Sequence, residues 1–456
     1  MSLAPPLPRP SRPAPGRPPN DPVAGHILRA GRLGGMVPDE LAARFGTPLY
    51  VYDLEVIDTQ VAALRAALPP NADLAYAVKA NPALAVVAHL GRLGLGADVA
   101  SGGELATALR AGIPPDRIVM TGPGKRDDEL AAAVASGTRG IRAVTVESLG
   151  ELARLEAIAR AAGRHQPVLL RAALSEAADL ERVRLVGDGG AGKFGMDAAD
   201  LVDGARFAAR SAHLELLGLH AFGASNVLDA SALTAHVATT AERARQMAVV
   251  TGLPVRIVDA GGGLGIPYRA DEAPLDLGAL SRGLSDIVVT WADDPLLAGA
   301  RLLLEPGRFL VGPAGAYLAR VVDAKTVNGT AVAILDGGVH HVLRPALVGQ
   351  EHRVVPFGTG PGGGPPVAVT IAGPLCSGLD VLAVGAVMPA PRVGDLMAVL
   401  DVGAYGFTES MPYFLSHPNP AEVVVRDGTA ALIRPRLDPS AWLDRQLIPD
   451  LALEST

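Results

Sequence analysis

The 456-residue chain holds one cysteine, Cys376. An internal disulfide is therefore impossible, and the usage fits a reducing compartment, so a cytoplasmic protein is expected. There is no basic excess either: 40 Lys and Arg face 47 Asp and Glu, for a net charge of −7. With no positive surplus to neutralise phosphates, nucleic acid is excluded as the partner. No apolar run reaches about 18 residues, which argues against a membrane span. The first 22 residues hold nine prolines and almost no aromatic or branched side chains. Such a segment buries too little apolar area to offset its ordering entropy, and it lacks the apolar core of a signal peptide. Residues 1–25 are expected to be a disordered proline-rich tail.

What remains reads as two globular domains, with 49% hydrophobic and 19% charged residues. From residue 48 to about 310, short apolar runs alternate with amphipathic helical patterns. The strand candidates are "LAYAVK" (74–79), "LGADVA" (95–100), "RIVMTG" (117–122), "AVTVES" (143–148), "PVLLRAAL" (167–174), "LELLGLHAF" (214–222), "VRIVDAGG" (255–262) and "RLLLEPG" (301–307). Eight strands alternating with helices predict an α/β fold, a parallel (β/α)8 barrel, with a doubly wound open sheet as the competitor. Residues 311–456 instead carry closely spaced strands separated by Gly and Pro, such as "TAVAILDGG", "DLMAVLDVG" and "AEVVVRD". They predict a C-terminal all-β domain, which the segment 26–47 is expected to join.

In a parallel barrel, side chains at the C-terminal strand ends face the active site. Lys79 ends the first strand of "DLAYAVKANP", His220 and Phe222 end the sixth, "DAGGG" (259–263) the seventh and "EPGR" (305–308) the eighth. A strand-end lysine is ordinarily solvated, but four chemically distinct ends on one rim point to a site. Glycines such as Gly261, Gly262 and Gly263 can present backbone N–H groups to a phosphate, although a tight turn would also use them. Arg308 can add a bidentate phosphate contact. Glu305 could simply pair with Arg308. Taken together, a lysine, a phosphate cradle and a carboxylate are what pyridoxal phosphate requires. Desolvation is expected to lower the pKa of Lys79, leaving the neutral amine that attacks an aldehyde.

The motifs "YAVKAN", "DVASGGEL", "GLHAFGASN", "DAGGGLGIPY", "EPGRFLV", "RPAL", "GPLCSGLD" and "GAYGF…SHPNPAEVVV" occur in one order. In that order the chain resembles the fold-type III pyridoxal-phosphate decarboxylases, the diaminopimelate and ornithine decarboxylase family, from about residue 26 to 435. The resemblance implies an alanine-racemase-like barrel with a β-domain, working as a head-to-tail homodimer with shared active sites. By motif position, Lys79 would form the Schiff base, while Ser225, Gly261 to Gly263, Arg308 and Tyr405 would hold the phosphate. Glu305 would pair with the pyridine nitrogen. Cys376 would reach in from the second subunit and protonate the quinonoid carbon. Arg344, Ser377 and Asp380 would face the substrate, and no metal is implied. A carboxylate at the ring nitrogen favours decarboxylation, whereas racemases of this fold resemble one another in placing an arginine there.

Two departures bear on function. Phe222 stands where the family's ring-stacking histidine is usual; it can stack but cannot exchange a proton. His220, two residues away on the same strand face, could substitute, but a satisfied strand histidine is its ordinary reading. At the cysteine, the family's "CES" or "CDG" is "CSG", so Ser377 replaces the acid that would hold a distal ammonium. Its "RPALY" is "RPALV", with Val348 in place of a tyrosine. The tail "FLSHPNPAEVVV" resembles decarboxylases of secondary metabolism and of carrier-tethered aminoacyl substrates. An unusual or carrier-bound amino acid is therefore the expected substrate, with diaminopimelate, ornithine or lysine as the alternative. A racemase and a non-catalytic cofactor-binding protein are the readings of another class.

Overall fold

The computed structural model describes residues 26–173, 192–357 and 365–449. The proline-rich tail and the end of the fifth strand candidate, residue 174, lie outside them. A two-residue hairpin, β1 (Leu28–Arg29) and β2 (Arg32–Leu33), precedes β3 (Leu49–Asp53). Eight parallel strands then close a barrel: β4 (Ala72–Ala77), β5 (Gly96–Val99), β6 (Ile118–Met120), β7 (Ala143–Val146), β8 (Gln166–Arg171), β9 (Leu214–His220), β10 (Ile257–Asp259) and β11 (Arg301–Leu304). Closure comes from β11 pairing with β4, Leu303 opposite Asp73. The open-sheet alternative is thereby excluded.

The barrel lumen is a packed core, as the fold requires. Ala75, Val119, Ala143, Leu169, Leu217, Ile257 and Leu303, one from each of seven strands, form a separate apolar cluster. Neighbouring residues such as Tyr76, Val144 and Leu170 point outward into the larger core under the helices. These strands are buried on both faces, which is why they read as unbroken apolar runs rather than alternating ones. Helix starts sit just past the strand ends. In "DVASGGEL", Ser101 Oγ accepts from the N–H of Glu104, and Glu104 Oε2 accepts from the N–H of Ala100 at 2.7 Å, which fixes the first turn of the 102–110 helix.

The second domain contains β12 (Gly315–Val327), β13 (Thr330–Leu335), β14 (Val354–Phe357), β15 (Val367–Ala372), β16 (Val381–Met388), β17 (Leu396–Leu400), β18 (Ala421–Arg426) and β19 (Thr429–Arg434). Its hairpins follow from local chemistry. Asn328-Gly329 and Asp427-Gly428 both have positive φ at each residue, the turn whose twist matches paired strands. β3 pairs with β12 and β18 in this sheet. The N-terminal contribution to the β-domain thus extends to Asp53, six residues past the expected limit at residue 47, since Leu49–Asp53 pairs where its backbone bonds are satisfied.

Candidate functional site

β4 stops at Ala77, and a 3-10 turn, Val78–Ala80, carries Lys79 beyond the strand end. The turn is tied to the second domain twice. Asn81 Nδ2 donates to the Gly403 carbonyl at 3.0 Å, and the Tyr405 N–H donates to the Ala80 carbonyl at 2.7 Å. The Lys79 side chain is 41% exposed, and its Nζ lies 2.5 Å from Asp98 Oδ2 at the end of β5. Asp98 is buried and also accepts from Thr121 Oγ1 at 2.6 Å.

Burial pulls the Lys79 ammonium down, but the carboxylates of Asp98 and Glu305 outweigh it and hold its pKa above the ordinary lysine value. This corrects the expectation of a depressed lysine. Desolvation is legible in one strand, whereas the opposing charges come from the ends of two other strands. The free side chain is a cation until its proton passes on, and Asp98, whose own carboxyl burial and Glu305 push up, is the adjacent acceptor.

Glu305 follows β11, is 4% exposed and makes no ion pair with Arg308. It stands instead with His220 and Asp259, one ligand atom of each lying within 4.8 Å of the others. His220 Nε2 is 3.4 Å from Glu305 Oε2. His220 is thus a satisfied strand histidine, backing the carboxylate rather than replacing the stacking ring. Burial raises Glu305, but His220 and Lys79 more than offset it and keep the carboxyl below its usual range. Asp259 is pushed well up, by burial and then by Glu305. The two acids are thus pushed in opposite directions, as two close carboxyls require.

The glycine loop joins these acids to the phosphate side. Asp259 Oδ1 accepts the Gly261 N–H at 2.9 Å, so that amide serves the shape of the loop. A Cβ at Gly262 would stand 2.3 Å from the Glu305 carbonyl, and one at Gly263 2.5 Å from the Ala224 carbonyl. Only glycine lets these backbones approach so closely. Phe222 lies against the same loop, 3.0 Å from where a Gly261 Cβ would be.

Arg308 Nη1 donates to Tyr268 Oη at 2.7 Å, and its Nη2 is 3.5 Å from Ser225 Oγ. Tyr405, at φ 54°, presents its ring to two guanidinium groups: Arg308 Cζ at 4.7 Å and Arg344 Cζ at 4.4 Å from the centroid. Gln350 Oε1 accepts from both arginines at 3.4 Å. Lys79, Phe222, Ser225, Gly261 to Gly263, Glu305, Arg308 and Tyr405 thus surround one rim, and Arg344 adjoins it through Tyr405. The cradle that no Cβ could enter and the reachable lysine together fit pyridoxal phosphate.

The "GPLCSGLD" segment belongs to the second domain. Cys376 is exposed on the link between β15 and β16. Ser377 Oγ accepts from the Leu379 N–H at 3.2 Å. Asp380 differs from expectation. Both its oxygens accept backbone N–H groups, from Val339 and Leu375, each at 2.7 Å, and it is 3% exposed. Gly338 and Gly373 close over the carboxylate. It anchors the segment within its own chain and is not free to bind a substrate. Sequence reasoning missed Asp98, Asp259, Tyr268, Gln350 and Glu409. The first two carried a usable signal, a charge at the end of an otherwise apolar strand.

Residues 54–312 match the family described as pyridoxal-dependent decarboxylase, pyridoxal binding domain. The chain belongs to that family. This pyridoxal-dependent decarboxylase is 36% identical over 408 residues to diaminopimelate decarboxylase of Aquifex aeolicus, covering 89% of the chain and 92% of the relative. It is 33% identical over 401 residues to the L-glutamyl-[BtrI acyl-carrier protein] decarboxylase of Niallia circulans, covering 86% and 92%. Its fold matches the crystal structure of diaminopimelate decarboxylase from M. jannaschii in complex with L-lysine, with a TM-score of 0.83 and 28% identity over 94% of this chain and 97% of that one. The protein is a pyridoxal-phosphate-dependent carboxy-lyase of the diaminopimelate decarboxylase type. Among the described residues no helix is long and apolar enough to cross a membrane.

Proposed function

We propose that the protein removes the α-carboxylate of an amino acid whose distal end carries no free ammonium, presented as a carrier-bound aminoacyl group, and that it works as a cytoplasmic homodimer. Pyridoxal phosphate supplies the electron sink for the charge left by departing carbon dioxide. The chain's own residues do the rest. Lys79 would hold the cofactor and pass its own proton to Asp98. Glu305, backed by His220 and Asp259, would pair with the cofactor's ring nitrogen. Phe222 would lie beside the cofactor without exchanging protons, and Ser225 and Arg308 would hold its phosphate. Cys376, contributed by the partner subunit, would return a proton to the carbon that lost its carboxylate.

One observation carries this reading: the buried, charge-retaining Glu305 within a triad of His220 and Asp259. A carboxylate there favours decarboxylation over racemisation. Ser377 in place of an acid, and the likeness to a decarboxylase that acts on a carrier-bound glutamyl group, support the substrate class. The test is mass-spectrometric screening of free amino acids and carrier-bound aminoacyl groups for loss of carbon dioxide. Turnover of a carrier-bound group above that of every free diamino acid supports the reading. Preferential turnover of diaminopimelate contradicts its substrate half.

A further inference from the structure

Arg344 opens the short 344–348 helix and is 3% exposed. Its Nη2 donates to Glu409 Oε1 at 2.9 Å, and its Nε lies 2.8 Å from Glu409 Oε2. Nη1 turns to Gln350. The guanidinium therefore turns its Nε–Nη2 edge, the edge that would face a substrate carboxylate, to a carboxylate of its own chain, with the Nη2 contact as its hydrogen bond. Glu409 also answers a local need. Arg308 and Arg344 share one tyrosine ring and one glutamine, and burial, then the like charge of Arg308, push Arg344 down. One acid between them offsets the second positive charge.

We propose that the Arg344–Glu409 pair makes the distal subsite charge-neutral, so that it selects substrates ending in a neutral carbonyl, an amide, ester or thioester, over a free carboxylate. With one hydrogen of Nη1 on Gln350 and one of Nη2 on Glu409, the second hydrogen of each is left to donate to a carbonyl oxygen, whereas a second carboxylate would crowd Glu409. A distal ammonium is no better matched. Ser377 carries no charge, and Asp380 spends both oxygens on backbone amides. Arg344 and Glu409 are 65 residues apart, and neither is exposed enough for the pair to be a surface ion pair of little consequence.

The inference rests on the decarboxylase reading for the position of the subsite, but its test does not require turnover. The cofactor-loaded protein is titrated calorimetrically with product-type amines of three lengths, 4-aminobutyrate, 5-aminopentanoate and 6-aminohexanoate, and with the primary amide of each. At the best length the amide is expected to bind about tenfold more tightly than the acid, the effect of adding or removing one charged hydrogen bond. Glu409→Gln should reverse that ratio by a similar factor, and Glu409→Asp should keep the native preference. Should Glu409→Gln fold poorly, Glu409→Ala serves for the same comparison. Acids that bind as tightly as amides at every length, or a ratio unmoved by both neutral variants, would overturn the proposal. Amide preference without carbon dioxide release from any substrate would leave this inference standing and sink the proposed reaction instead.

Discussion

Lys79 Nζ lies 2.5 Å from Asp98 Oδ2, and that carboxylate is itself buried against Thr121. The sign of the effect on Lys79 follows from this contact. Asp98 and Glu305 raise the pKa of the lysine, so removing Asp98 lowers it and increases the neutral fraction at any pH below the native value. Each unit by which the pKa falls multiplies that fraction by about ten. Asp98→Asn should therefore capture pyridoxal phosphate faster than the native apo-protein near neutral pH, with its rate profile displaced to lower pH. Stopped-flow absorbance of cofactor uptake measures this. Superimposable profiles would show that the pair does not set the charge of the lysine.

Cys376 lies in the β-domain and Lys79 at the barrel rim, so a site shared across subunits predicts complementation. Lys79→Ala and Cys376→Ala are each expected to be inactive and folded, since neither side chain belongs to the core. Mixed and allowed to exchange, they should recover up to about a quarter of native activity, because half of the subunits are in hybrids and each hybrid holds one intact site. No recovery, with exchange confirmed by mass spectrometry, would mean that each subunit uses its own cysteine.

Acid should weaken the fold through His340. It is 0% exposed, its ring centroid lies 3.8 Å from that of His341 with the two planes tilted by 46°, and neither ring nitrogen has a partner among the described residues. Burial, and then His417, lower its pKa from 6.5 to about 4. The unfolded chain therefore takes the proton first. Stability is intact above the unfolded value and is lost as pH falls toward 4, by about 3 kcal/mol for this one group. His341 and His352 move in the same direction, so the loss is shared among them. Melting temperatures between pH 7.5 and 4.5 should fall less steeply for His340→Asn than for the native protein. Parallel curves would place the acid sensitivity elsewhere.

The barrel was legible because each of its strands is buried on both faces and bounded by turn residues. β14 and β16 were not. β14 is four residues long and contains Pro356, while β16 is interrupted by Gly385 and leaves Val384 and Val387 exposed. Their signals are those of a linker. In the site, Lys79 and Glu305 stood out as charges at the ends of apolar runs. The same criterion, applied to the ends of β5 and β10, flags Asp98 and Asp259 as well. No local pattern marks Gln350 or Glu409. Their partners lie on other segments, and only packing brings Tyr405 against both arginines. The charge of Lys79 was misjudged for the same reason.

Ser377 provides a test of substrate choice separate from Glu409. If it stands where relatives place an acid, diaminopimelate, lysine and ornithine should be poor substrates. Losing a charged hydrogen bond to a buried ammonium costs about 1.5–3 kcal/mol, roughly tenfold to a hundredfold in kcat/KM. Ser377→Asp or Ser377→Glu should recover part of that on a diamino acid, with Val348 limiting the gain. Efficient native turnover of diaminopimelate, unchanged in Ser377→Ala, would show that another group reads the distal end.

If the rim around Lys79 is the reaction centre, the cofactor is attached there and nowhere else. The cofactor-loaded protein is reduced with borohydride, digested and mapped by mass spectrometry. The cofactor's mass is expected on Lys79 alone, and none after reduction of Lys79→Ala. Cofactor found on Lys125, whose ammonium is buried against Glu151, or on Lys193 would contradict it.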